Sequence, residues 1–246
     1  MLFLSMKKTF LLFAWLLLFV SCKEEQKEIV ASPEPQPKQL VREDHKTQVK
    51  YAKGFKVVNF LGYKKLTITN PWPGSDKEYN FAIVDDSTRF RNLKGFDGMI
   101  QVPLKSTVVT STTHIPSLEM LGALDRLVGF PNLSYISSPE ARKQIEKGTI
   151  AELGKNESIN TEKLIELNPD AVVTFAVDGD SKSHETISKL GIPVLYNSDW
   201  TETTPLGKAE WIKFFGYLFN KEKQANAIFK DIVINYKNAS KLAKIG

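Results

Sequence analysis

Residues 51–101 alternate apolar and polar positions in short runs that are rich in aromatic and β-branched side chains. This period of two predicts strands at Phe55–Phe60, Lys65–Thr69 and Tyr79–Val84. The turn-forming sequence Asn70-Pro-Trp-Pro-Gly74 separates the second run from the third, and its tryptophan is expected to pack rather than to contact a ligand. We therefore expect a small antiparallel β segment, which by itself indicates no chemistry.

From residue 102 onward the pattern changes to short apolar runs that alternate with helical periods. The predicted strands are Thr107–Ser111, Leu127–Phe130, Ala171–Phe175 and Pro193–Tyr196, and the predicted helices are Pro116–Leu121, Pro139–Glu146, Thr161–Leu167, Ser183–Leu190 and Leu206–Phe219. This alternation predicts an α/β fold, with a parallel sheet covered by helices on both faces. Ligands of such sheets bind at the carboxyl ends of the strands.

The last segment, residues 221–244, places apolar side chains at helical spacing, from Ala225 to Tyr236. It predicts a helix of about six turns. One face of this helix is apolar and needs a partner.

The N-terminus predicts an export signal. Lys7 and Lys8 precede eleven apolar residues, Phe10 to Val20, which are too few to span a membrane as a helix. The signal is expected over residues 1–21. The following stretch, residues 22–50, is charged and contains Pro33, Pro35 and Pro37, so it is expected to be a flexible linker.

Composition narrows the classes of function. One cysteine excludes a disulfide framework and a zinc site built on thiolates, and the three histidines are scattered. The net charge is +5, but the lysines are spread along the chain without a dense basic block, which argues against nucleic acid as a partner. No phosphate-binding glycine-rich loop is present, and we expect neither a cofactor nor a metal site.

Phe19-Val-Ser-Cys22 resembles a bacterial lipobox. The resemblance implies cleavage before Cys22, lipidation of its thiol and a stable membrane anchor. It predicts an extracytoplasmic protein, held in the periplasm or at the cell surface.

Several motifs resemble, in order and spacing, the substrate-binding lipoproteins of ABC importers for iron–siderophores, haem and cobalamin. They are Thr107–His114, Leu118–Gly122, Asp125–Gly129, Asn160-x-Glu-x-Leu164, Leu167-x-Pro-Asp170 and Leu190-Gly-Ile-Pro-Val194. The resemblance implies two α/β lobes that grip a ligand and are joined by a long helix. Residues 102–219 correspond to the first lobe and 220–246 to the start of the joining helix. No second lobe follows, so we expect the chain to be truncated.

The resemblance also implies a function, namely capture of a metal chelate or cobalamin-type ligand and its delivery to a permease with its ATPase. By their position at the strand ends, the expected ligand contacts are Thr112, Thr113, His114, Phe130, Tyr135, Phe175, Asp178 and Trp200. Aromatic and hydroxyl groups suit a large, partly planar ligand. Family members dock through an acidic residue on each lobe. Glu185 is the candidate here and Glu210 the alternative.

Two other functions stay open at this point. A one-lobe surface lipoprotein could bind a partner protein instead of a transported ligand. A hydrolase could use Ser111 and His114 with Asp178 as the orienting acid, but no Gly-x-Ser-x-Gly elbow accompanies Ser111. We therefore predict that the protein is not an enzyme and has no catalytic residues.

Overall fold

The computed structural model describes residues 49–90, 93–179 and 182–244. The predicted signal segment, the lipidation site Cys22 and nearly all of the predicted linker lie outside these residues.

The first sheet is built from residues 55–101. Its strands are β1 (Phe55–Phe60), β2 (Tyr63–Thr69), β3 (Glu78–Val84) and β4 (Gly98–Gln101), in that spatial order. The first three strands pair antiparallel as predicted, but β4 pairs parallel to β3, so the sheet is mixed. The sequence did not reveal β4 because a strand of four residues that begins with glycine is too short to show a period.

The second sheet lies in the region after residue 102, whose motifs carry the family resemblance. The strands of this region are β5 (Thr107–Val109), β6 (Leu127–Phe130), β7 (Ala151–Glu152), β8 (Gly154–Lys155), β9 (Ser158–Ile159), β10 (Ala171–Thr174) and β11 (Val194–Tyr196). Five of these strands form a parallel sheet in the order β11-β10-β5-β6-β7, and β8 and β9 pair as a short hairpin. The predicted parallel α/β sheet is confirmed.

Seven α-helices lie in the described part of the chain. They are α1 (Ile115–Met120), α2 (Pro139–Glu146), α3 (Thr161–Leu167), α4 (Lys182–Lys189), α5 (Pro205–Glu210), α6 (Ile212–Leu218) and α7 (Glu222–Leu242). The side chains of Ser138 and Asn160 cap α2 and α3 by accepting hydrogen bonds from backbone N–H groups. These caps explain why the predicted bounds of both helices agree with the structure.

The predicted helix Leu206–Phe219 is two helices, α5 and α6, divided at Trp211. The N–H of Trp211 donates to the carbonyl of Lys208, 3.3 Å away, so the chain tightens by one residue at this point. Trp211, Phe214 and Phe215 are buried as their spacing predicts. The ring of Trp211 lies 4.6 Å from that of Phe55 in β1, so both sheets contribute to one hydrophobic core.

The last helix, α7, is buried only near its start. Ala225 and Phe229 pack into the core, whereas Ile234, Tyr236 and Leu242 are exposed. No helix in the described ranges combines the length and the hydropathy that a membrane span requires.

Candidate functional site

The loops that follow four strands of the parallel sheet meet at the edge where those strands end. These are the 3-10 turn Thr112–His114 after β5, the turn Leu133–Tyr135 after β6, residues 175–179 after β10 and the turn Asp199–Thr201 after β11. Because the strands are parallel, these loops lie at the same edge of the sheet. We call the four loops together the carboxyl edge.

Large apolar side chains are exposed on three of these loops. Tyr135 is 69% exposed, Val177 is 66% exposed and Trp200 is 39% exposed. Thr112, Thr113 and Asp178 are exposed beside them, and Phe175 is half-buried. The structure thus presents five of the predicted contacts to solvent at this edge. Val177 was not predicted, since a valine after a strand resembles a continuation of the buried run.

The loops after β5 and β11 are joined by side chains. The Thr113 side chain faces the Asp199 carboxylate, so the two loops approach each other across the end of β10. Burial raises the pKa of the Asp199 carboxyl, and the hydrogen bond from Thr113 opposes that shift. Lys208 of α5 donates to the carbonyl of Trp200 over 2.7 Å. These contacts fix the loop that carries Trp200.

The loop after β6 is also held rigidly. The carboxylate of Glu152 in β7 accepts hydrogen bonds from the N–H groups of Asn132 and Leu133, over 2.8 and 2.9 Å. Arg142 of α2 donates to the carbonyl of Leu133 over 3.0 Å. Tyr135 therefore projects from a turn that is anchored on both sides. Sequence reasoning missed Glu152 and Arg142 because their partners are backbone groups.

A buried polar layer supports the loop after β10. The hydroxyl of Thr174 lies 2.9 Å from that of Thr110 and 3.0 Å from Nε2 of His184 on α4. Burial lowers the pKa of His184 to about 4, so this imidazole stays neutral at pH 7.

Two predicted ligand contacts lie in the core instead of at the edge. His114 is 0% exposed, its ring centroid is 5.7 Å from that of Phe215, and burial lowers its pKa to about 3. Neither ring nitrogen has a hydrogen-bond partner within the described residues. Phe130 is also fully buried. The turn after β5 leads directly into α1 and points the His114 imidazole inward, and Phe130 is buried at the end of β6. Neither side chain therefore belongs to the candidate site.

The side chains of a Ser–His pair do not meet. The hydroxyl of Ser111 lies 2.9 Å from that of Thr113, whereas His114 is buried beside Phe215. The hydrolase hypothesis therefore has no geometric support.

Glu210 is buried and cannot dock a permease. Its Oε2 accepts the backbone N–H groups of Lys50, Tyr51 and Ala52 over 2.9, 2.5 and 2.9 Å. Its Oε1 accepts a hydrogen bond of 2.7 Å from the buried ammonium of Lys213. The prediction for Glu210 as an alternative docking residue is wrong, because its carboxylate holds the N-terminal segment of the fold.

Glu185 lies on the exposed face of α4, and its carboxylate is 3.9 Å from the ammonium of Lys189. An exposed pair at this distance holds the side chain only weakly. Across residues 49–90, 93–179 and 182–244, no three His, Cys, Asp or Glu side chains converge to hold a metal ion.

Comparison with known proteins agrees with this fold. Residues 108–244, more than half of the chain, match the periplasmic binding protein family. Two uncharacterized lipoproteins of Methanocaldococcus jannaschii are similar. One is 28% identical over 76% of this chain and 50% of its own length, and the other is 27% identical over 93% and 60%. The chain thus spans about half the length of these curated relatives.

Among solved structures, the petrobactin-binding protein YclQ of Bacillus subtilis is similar in fold. Its TM-score is 0.50 at 17% identity, and the match covers 73% of this chain and 54% of that one. The family is one of periplasmic binding proteins, which agrees with an extracytoplasmic location. The chain belongs to the periplasmic binding protein family.

Proposed function

We propose that this chain is the capture component of an ABC importer, that it binds a metal chelate at the carboxyl edge, and that it passes the chelate to a membrane permease. The observation that carries the proposal is the placement of exposed Tyr135 and Trp200 on anchored loops at the edge where parallel sheets bind ligands. Membership of the family supports the binding role.

The chemistry of the edge favours a large, partly planar ligand. Two aromatic rings and an exposed valine offer apolar contact area, and Thr112 and Thr113 offer hydroxyl groups. The ligands we propose are an iron–siderophore, haem or a cobalamin-type compound, in which a ring system surrounds or accompanies a metal.

Glu185 is the proposed docking residue for the permease. It is exposed on α4, the helix that follows β10 and the loop with Asp178. An acidic residue at this place can pair with a permease arginine and contribute orientation and association rate. Its weak pairing with Lys189 costs little to break.

Lipidation of Cys22 is the proposed anchor. The charged, proline-containing linker would then leave the folded part free to reach a permease, with a root-mean-square span of about 30 Å. The lipoprotein names of the two relatives support this assignment.

Calorimetric titration of the full chain in detergent tests the proposal. The probes are haemin, cyanocobalamin and the ferric complex of 2,3-dihydroxybenzoate. We expect at least one to bind, and we expect the double variant Tyr135→Ala/Trp200→Ala to weaken binding about tenfold, because two aromatic contacts are lost. Tyr236→Ala is the matched control, since it removes an exposed aromatic ring from α7.

Two results would contradict the proposal. One is the absence of binding to every chelate, which would favour the partner-binding lipoprotein. The other is equal weakening of ligand binding by the double variant and by Tyr236→Ala. Binding would then not depend specifically on the carboxyl edge.

A further inference from the structure

A cavity of about 500 Å³ lies beside the carboxyl edge, and most of its lining comes from residues 53–76, which precede the family match. Its walls come from the loop between β2 and β3, from the segment that precedes β1, and from residues 201–203, which begin with the last residue of the turn that carries Trp200. Its size falls in the range of small-molecule sites. We call it the Trp72 cavity, after the aromatic residue in its wall.

Trp72 joins this cavity to the carboxyl edge by packing on β11 and on the loop that follows β10. Its ring centroid is 5.7 Å from that of Tyr196, the last residue of β11, with the planes at 74°. A Cβ added to Gly179, in the loop after β10, would lie only 2.9 Å from Cζ2 of Trp72. Glycine is therefore required where that loop approaches the indole.

The loop that carries Trp72 has a fixed shape. Pro71 and Pro73 flank the tryptophan, and the N–H of Ser75 donates to its carbonyl over 3.1 Å. The N–H of Asn70 donates to the carbonyl of Lys77 over 3.3 Å and closes the loop. A ring presented from such a loop loses little conformational entropy on binding.

Charge around the cavity is mixed. Lys53 lines it, and the ammonium of Lys77 lies 5.4 Å from the Trp72 ring centroid. Asp76 and Glu202 also line it, but Oε1 of Glu202 already accepts three N–H donors, from Lys53, Gly54 and the Trp211 indole. The aromatic surface with lysines beside it suits a flat conjugated ring that carries oxygen anions.

We infer that the Trp72 cavity is an additional subsite that receives a planar ring of the ligand held at the carboxyl edge. This inference rests on the proposed function and extends it to residues 53 and 70–77, which the family match does not include. Trp72 packs as expected, against Gly179 and Tyr196, and the same residue lines the open cavity.

Tryptophan fluorescence of the full chain in detergent tests the inference. The ring-bearing probes are haemin and the ferric complex of 2,3-dihydroxybenzoate, and ferric citrate is the ring-free comparator. The chain has four tryptophans, so Trp72→Phe and Trp200→Phe separate the signal of the cavity from that of the edge. Urea unfolding of each variant establishes that it is folded.

We expect Trp72→Phe to remove part of the quenching by the ring-bearing probes and to weaken their binding between about twofold and tenfold. Ferric citrate binding should not change. Gly179→Ala should weaken binding of the ring-bearing probes similarly while the indole of Trp72 is kept, because the added methyl group displaces that indole.

The outcomes distinguish the inference from the proposed function. If the probes bind and Trp200→Phe weakens them while Trp72→Phe and Gly179→Ala do not, the subsite is refuted and the edge remains. If Trp72→Phe weakens ferric citrate equally, the ring specificity is refuted. If no probe binds the wild-type chain, both the proposed function and the subsite are refuted.

Discussion

Replacing Glu210 by alanine should destabilise the whole fold. The carboxylate is fully buried and accepts four hydrogen bonds, three from the backbone of residues 50–52 and one from Lys213. Alanine leaves all four donors without this acceptor. The ammonium of Lys213 is also buried and lies 4.6 Å from the Phe229 ring centroid.

The loss of stability depends on which of the four donors can form a hydrogen bond to water instead. The amides of Lys50 and Tyr51 are partly buried and can recover a hydrogen bond to water, whereas that of Ala52 is buried. Removing one member of a buried ion pair costs about 3–5 kcal/mol, because the other charge stays buried. We expect a loss of that size, which lowers the Tm of a domain of this length by roughly 10 °C.

Urea unfolding followed by circular dichroism measures this loss. Glu185→Ala is the matched control, because it removes an exposed carboxylate from another helix, and it should change stability by less than about 0.5 kcal/mol. Lys213→Met in the Glu210→Ala background should recover part of the stability, since it removes a buried charge that has lost its carboxylate partner.

The reasoning would be refuted if Glu210→Ala unfolded within about 1 kcal/mol of the wild type. Such a result would mean that the segment at residues 50–52 contributes nothing to the fold. If the same variant also lost binding to a permease, the carboxylate would have to be accessible and the docking hypothesis would return.

Three other changes test separate features of the fold. Burial lowers the pKa of His114 to about 3 in the folded chain, whereas the unfolded chain binds this proton near pH 6.5. The free energy of unfolding therefore falls as the pH drops below 6.5. Between pH 7 and 5 this group accounts for about 2 kcal/mol, which His114→Leu should remove from urea unfolding curves. Asn160→Ala deletes the cap on the N–H of Lys163 and should cost about 1 kcal/mol in thermal unfolding, whereas Asn160→Asp should retain the cap. Gly129→Ala places a methyl group 2.9 Å from Cδ1 of Leu153 and should cost about 1–3 kcal/mol by the same measurement.

The sequence predicts elements well where local chemistry marks their ends. β6, α2 and α3 have the predicted bounds, because proline or a capping residue fixes the start of each helix and the apolar run of β6 is short and distinct. β7, β8 and β9 were not predicted. Strands of two residues cannot show a period, and they exist only because neighbouring strands supply their hydrogen bonds.

Side-chain direction was the main source of error at the candidate site. His114 and Tyr135 both occupy short turns that follow a strand, yet His114 is buried and Tyr135 is largely exposed. The position of a residue just after a strand predicts that it lies at the carboxyl edge. It does not predict whether its side chain points into the core or into solvent. Glu210 was wrong for a similar reason, because its backbone partners lie about 160 residues earlier in the chain and no local pattern reveals them.

The β segment packs into the same hydrophobic core as the parallel sheet. Glu202 and Glu210 hold residues 50–54 against α5 and α6, and the ring of Phe55 packs on Trp211. The opposite end of the segment reaches the carboxyl edge through Trp72. The α/β part and the β segment are therefore fixed to one another at two places, by buried contacts at residues 52–55 and by the packing of Trp72. A ligand that touches Trp72 and Trp200 together would meet a wall already formed before binding, which lowers the entropy cost of recognition.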